Sequence, residues 1–187
     1  MPRENKSKYA ILGILSLGPM TGYEIRKTIE HSLANFWNES YGQIYPILRS
    51  LVAEGLATTE MEVQIGKPNR HIHTITESGR AELKRWLAKP VESEVGRVEI
   101  LLKLFFGWQM SSQENLHKLE EFRDLQQHVL AKYAGIADWL RRDYSDHPGL
   151  PYWLMTLSYG QHVSRALLGW CDESLEKLKS FEESHSA

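Results

Sequence analysis

Tyr41, Gly42, Gln43, Tyr45 and Arg49 crowd into one short stretch, Tyr41-Gly42-Gln43-Ile44-Tyr45-Pro46-Ile47-Leu48-Arg49. A glutamine carboxamide can bond both edge atoms of adenine, and a phenol can bond a phosphate or pack on a sugar or a thymine methyl. Glycine lets a backbone come close to such a surface. A second polar set, Lys67, Asn69 and Arg70, sits in a turn after Gly66. It offers cationic reach toward phosphates or a minor groove. Lys6 and Lys8, with Arg3, precede the first apolar run and can add phosphate contacts. Each phosphate neutralised steepens the salt dependence of binding. Taken singly these residues are weak signals, since a helical tyrosine is more often packing and a lysine in a turn is usually just solvated. Their weight depends on the elements that carry them.

Those elements alternate over short distances in the first 89 residues. A nearly all-apolar run, Tyr9 to Leu15, predicts a buried helix over about Ser7–Leu17, stopped by Gly18-Pro19. Thr21-Gly22-Tyr23-Glu24 is a capping-box signature and opens a second helix carrying Ile25, Ile29 and Leu33. A third helix covers about Tyr41–Glu54, with Ile44, Ile47, Leu48 and Leu51 as its stripe and Gly55 placed to cap it. Pro46 removes one helical N–H, which predicts a start as late as Gly42 or a kink. The period then changes to two. Thr59, Met61, Val63 and Ile65 alternate with polar residues and read as a half-buried strand. Gly66-Lys67-Pro68-Asn69 turns the chain into a returning strand, Arg70–Ile75, and Thr76 caps a helix to about Leu87. Three helices followed by a β-hairpin and a helix predict a helix-turn-helix with a wing, whose third helix would enter a major groove.

After Lys89-Pro90 nearly everything reads as long helix. A helix is read over about 92–108, with Val95, Val98, Leu101, Leu102, Phe105 and Phe106 as its apolar residues, and Ser112 with Asn115 can cap the next one. Leu119, Phe122, Gln126, Val129, Tyr133, Ile136 and Leu140 then follow heptad spacing over about 113–144. So do Leu154, Leu157, Gln161, Ser164, Leu168, Cys171, Leu175 and Leu178 over about 151–182. These seams can pack on each other or against a second chain. The fold class is therefore mainly α with a small β-hairpin. A winged helix-turn-helix spans 1–89, and a long-helix domain spans 90–187 for dimerisation and possible effector binding.

The 187 residues carry a net charge of −2. Residues 1–90 hold 12 Lys and Arg against 9 Asp and Glu (+3), and residues 91–187 hold 10 against 15 (−5). A mildly basic front and an acidic back suggest two tasks. No apolar run reaches the ~20 residues of a membrane span. The start lacks a cleavage site, and a single cysteine, Cys171, excludes an internal disulfide, so a cytoplasmic protein is expected. No phosphate-cradling glycine loop, nucleophile elbow or helical His-Glu-His pattern is present, so no enzyme is expected. Cys171 sits on a seam and reads as a small buried hydrophobe. His71 and His73 share a strand face and could hold a metal, but no Cys, Asp or third His stands at ligand spacing, so neither metal nor cofactor is expected.

Tyr9-Ala10-Ile11-Leu12-Gly13-Ile14-Leu15, Gly22-Tyr23-Glu24-Ile25, Phe36-Trp37, Gly42-Gln43-Ile44-Tyr45-Pro46-Ile47-Leu48, Glu54-Gly55-Leu56 and Ile75-Thr76-Glu77-Ser78-Gly79-Arg80 together resemble the PadR family of transcriptional regulators. The resemblance is close over residues 8–88, and the remainder is similar to longer members with a C-terminal helical domain. It implies a homodimeric regulator, usually a repressor, that binds a palindromic operator in double-stranded DNA. In the best-known branch phenolic acids release the protein from DNA. The family's contact motif falls on Tyr41, Gln43, Tyr45 and the wing, and Pro46 follows the family pattern. One departure is His73, where the second wing strand usually carries Tyr.

Aromatic residues concentrate in the back half. Tyr152, Trp153, Tyr159, His162 and Arg165 could wall a site for a flat aromatic effector, with Arg165 pairing a carboxylate. Tyr9 and Trp37 could line a pocket between the two halves. Core and dimer packing is the plainer explanation of all of these. The rival function is a winged-helix adaptor that binds protein instead of DNA, and Glu39, Glu60 and Glu62 near the recognition elements favour it.

Overall fold

The computed structural model describes residues 5–33, 36–37, 41–63, 69–92 and 96–185. The chain divides into two compact units, Met1–Ser93 and Glu94–Ala187.

In the first unit, α1 (Ser7–Leu15), α2 (Gly22–Ser32) and α3 (Tyr41–Ala53) enclose the core. Ile11, Leu12, Leu15, Ile25 and Leu51 are completely buried, with Ile44 and Leu48 nearly so. The capping box read at Thr21 is formed: its hydroxyl accepts from the Glu24 N–H, and Glu24 reaches back to the Thr21 N–H at 2.8 Å. Gly55 ends α3 at φ +70°, a left-handed conformation that glycine adopts without a Cβ penalty. Pro46 lies inside α3, so its missing N–H leaves the Gly42 carbonyl outside the helical ladder.

Three antiparallel strands, not two, form the sheet, in the order β1 (Met20–Thr21), β3 (Arg70–Ile75), β2 (Ala57–Glu62). The two-residue β1 is too short to show an alternation. The expectation that β2 buries Met61 and Val63 is corrected. Ala57 is buried, but Met61 and Val63 are exposed, because this end of the hairpin runs out beyond the helices it would pack on. α4 (Glu77–Leu87) returns to the core through Leu83 and Trp86.

In the second unit, α5 is only Glu99–Phe105, followed by a 3-10 turn at Gly107–Gln109. The helix expected over 92–108 is thus shorter within the described residues, and its apolar residues Val98, Leu101, Leu102, Phe105 and Phe106 are all exposed. The capping expectation for the next helix is off by one residue. Ser111 forms the box with Glu114, while Asn115 turns inward and donates to the Gly107 carbonyl at 2.8 Å. The long helices α6 (Ser112–Asp143) and α7 (Leu150–His185) form an antiparallel hairpin. Their heptad seams face each other within one chain. Leu119, Tyr133 and Leu140 meet Leu157, Cys171 and Leu175, all buried. Between the apolar clusters the buried Ser164 hydroxyl donates to Gln126 at 3.4 Å.

Candidate nucleic-acid interface

α3 is amphipathic with its apolar stripe turned to the core, and this decides which side chains look outward. Gln43, Tyr45 and Arg49 stand on the solvent face, Tyr45 at 57% exposure. Tyr41 begins the helix, but the placement of its side chain lies outside what is described. The Tyr45 ring is pressed against the backbone at the start of α2. A Cβ on Gly22 would sit 2.7 Å from its Cε1, so only glycine leaves room for the ring. Beside it, the exposed Tyr23 carries the Lys27 ammonium 5.0 Å over its ring. Sequence reasoning left Gly22, Tyr23 and Lys27 out of the site, although they lie next to the capping box it identified. Glu24 is held below the usual carboxylate range by the Thr21 backbone N–H and then by the Thr21 hydroxyl.

Three of the cations, Lys6, Lys8 and Arg70, are engaged. Arg70 pairs with Glu62 across the wing, its Nε at 2.9 Å and a terminal nitrogen at 2.5 Å. The Asn69 amide approaches the Met61 sulfur at 3.6 Å. Lys67 lies outside the described residues. Lys8 bridges from α1 to Glu54 at the end of α3 at 2.8 Å, and Ser50 donates to the same carboxylate at 2.7 Å. Lys8 first and Ser50 second hold Glu54 below its usual range. Lys6 pairs with Glu92 at 3.3 Å. Phosphates therefore compete with carboxylates already in place, and an exposed pair of this kind contributes only about 0–1 kcal/mol.

Against this geometry, residues 11–85 match the PadR-like family of transcriptional regulators, and residues 97–179 match the C-terminal domain of virulence activator alpha. Residues 11–85 therefore form a PadR-like family domain. The chain is 38% identical over 109 residues to the negative transcriptional regulator PadR of Bacillus subtilis, covering 57% of this chain and 59% of that relative. The match thus spans under two thirds of the relative's length. The fold is similar to that of B. subtilis PadR in complex with operator DNA, with a TM-score of 0.83 and 28% identity over 94% of this chain and 98% of that one. It is also similar to B. subtilis PadR in complex with p-coumaric acid, at TM-score 0.73 and 26% identity over 92% and 98%.

The residues expected to hold an effector fall in both units, Tyr9 and Trp37 in the first and the α7 side chains in the second. Tyr9 is packed in the core, stacked on Trp86 at 4.6 Å between ring centroids, with its hydroxyl donating to Glu82 at 3.0 Å. Trp37 is half-buried just after α2, where its N–H bonds the Leu33 carbonyl. On α7, Tyr152 and Tyr159 are each 68% exposed, and His162 and Arg165 are exposed as well. Trp153 points elsewhere, stacking on His147 at 4.5 Å. At about 100° per residue Tyr152, Tyr159, His162 and Arg165 share one exposed face of α7, and Trp153 lies off it. A cavity of about 310 Å³ does lie within the first unit, between α1 and α3, lined by Asn5, Lys8, Tyr9, Ile47, Ser50, Leu51 and Glu54.

One buried polar group stands apart. His73 is 9% exposed, and its Nδ1 has no hydrogen-bond partner. Burial first, and the neighbouring His71 second, push its pKa down.

Proposed function

We propose that this chain is a repressor that binds a palindromic operator as a homodimer, placing the outer face of α3 in the major groove and the wing on the backbone. The observation that carries the reading is the exposure of Gln43, Tyr45 and Arg49 on one face of α3, in a fold similar to that of a relative solved on operator DNA. The side chains with base-edge and phosphate chemistry are those the core leaves outside. The engaged cations temper the affinity and make binding salt-sensitive. A two-fold dimer would read half-sites about 10 bp apart or a multiple of that.

Homodimerisation is supported by what the hairpin leaves over. Both heptad seams are consumed within one chain, yet Leu101, Leu102, Phe105, Phe106 and Trp108 are 51–78% exposed around α5. A soluble protein rarely leaves that much contiguous apolar surface uncovered. A small aromatic effector is the last part of the reading. It is supported by the p-coumaric acid complex of the similar B. subtilis protein.

Gel-shift titration against the promoters of its own and neighbouring genes, at two salt concentrations and with competitor DNA, tests the reading. Tight, sequence-selective and salt-sensitive binding is expected, with release by phenolic acids. A folded dimer that selects no promoter DNA would turn the reading to the protein-binding adaptor, for which Glu60 and Glu62 on the wing provide the opposite charge.

A further inference from the structure

The sheet has a face that the DNA reading does not use. Directly paired residues of an antiparallel ladder project to the same side, as do residues two apart on a strand. His73 pairs with Met20 on β1 and Thr59 on β2, and His71 pairs with Met61. One face therefore carries His71, His73, Met61, Met20 and Thr59. Glu60 and Glu62 pair with Ile72 and Arg70 on the opposite face. Along β3 the two histidines are spaced by about 7 Å, and a cross-strand pair has Cβ atoms roughly 4.5–5.5 Å apart. Imidazole and thioether arms span such gaps.

The buried Nδ1 of His73 singles this place out. Buried ring nitrogens are normally hydrogen-bonded, and one left bare needs a reason. We propose that His71, His73 and Met61 form a binding site for a soft monovalent cation, Cu(I), at the base of the wing. Two imidazoles and a thioether are donors that favour Cu(I), whereas Mg²⁺ and Ca²⁺ want oxygen ligands, and among the described strand residues this face presents no carboxylate. Among the described residues no three His, Cys, Asp or Glu side chains gather, and the third donor proposed here is the Met61 thioether. Met61 is 59% exposed, and its 3.6 Å contact with Asn69 is easily given up. Met20 is half-buried on the other flank of His73, with the Thr28 hydroxyl 3.9 Å from its sulfur, and serves as cover. A bound cation clamps β2 to β3 where the hairpin leaves the core, directly beneath Asn69 and Arg70.

The test is an anaerobic titration of the full chain with Cu(I) against a chromophoric Cu(I) chelator, repeated with Ag(I) as a redox-inert probe. One equivalent should bind. His71→Ala, an exposed position that spares the core, should weaken binding at least tenfold, and Met61→Leu should weaken both Cu(I) and Ag(I). His73→Ala should abolish it, with a melting curve to confirm folding, and Cys171→Ser should change nothing. Absence of competition with the chelator, unaltered affinity in His71→Ala, or a site that vanishes with Cys171 would overturn the assignment. DNA binding is not read in this experiment, so its outcome stands apart from that of the operator titration.

Discussion

Gln43 and Arg49 project from α3 while Ile44, Ile47 and Leu48 point inward, so they can be changed without touching the core. Gln43→Ala should cost about 1–3 kcal/mol of discrimination against the wrong base, read as a relaxed preference at one operator position in competition gel shifts. Arg49→Ala should instead weaken binding to all sequences alike and lower the salt slope by about 1 if it meets a phosphate. Tyr45 has a double role, since its ring also packs on Gly22. Gly22→Ala should therefore impair DNA binding as the ring is pushed out of place, while circular dichroism still reports a folded chain. In the other unit, Cys171 is completely buried, and burial first and Asp172 second push its thiol pKa up. A thiol reagent should label it only on unfolding, and rapid labelling of native protein would mean that the α6–α7 seam opens readily.

Two helices start on the same device, a hydroxyl and a glutamate exchanging bonds with each other's backbone N–H, at Thr21 with Glu24 and at Ser111 with Glu114. Ser111→Ala should cost about 1 kcal/mol, measured as a lowered denaturant midpoint. Both carboxylates are held below their usual range, Glu24 by the Thr21 backbone first and Glu114 by the Ser111 hydroxyl first. Their folded state binds fewer protons than the unfolded one, so this stabilisation is present above the ordinary carboxylate pKa and fades as acid drives pH through the lowered values. The Thr21 box was legible because Thr-Gly-Tyr-Glu is a local pattern that follows a strong breaker. The Ser111 box was misplaced by one residue because Ser111 and Ser112 both offer a hydroxyl and only the backbone turn at Gly107–Gln109 decides between them. β2 was legible as a strand from its period. Its burial was not, since that depends on how far the helices extend beneath it. Helix geometry already puts Tyr152, Tyr159, His162 and Arg165 on one face of α7 and Trp153 off it, where it stacks on His147.

For the molecule as a whole, the two heptad seams predicted that long helices would pair, and spacing could not say with whom. The structure spends them within one chain, which shifts the expected dimer contact to the exposed apolar surface around α5. Phe105→Asp should therefore convert a dimer to monomers in sedimentation velocity while leaving the hairpin melting unchanged. Because one operator half-site would remain readable, it should lower affinity without erasing sequence preference. The loop joining α6 and α7 is short, from Tyr144 to Gly149, and His147, Tyr144 and Trp153 stack beside it. Closing a short loop loses little chain entropy, so pairing of the two helices is expected to start at this aromatic end and zip toward Leu119 and Leu175, as refolding kinetics of Trp153 and Leu175 variants would show. The order in time then divides the hairpin: changes at Trp153 slow refolding, whereas changes at Leu175, made last, chiefly hasten unfolding.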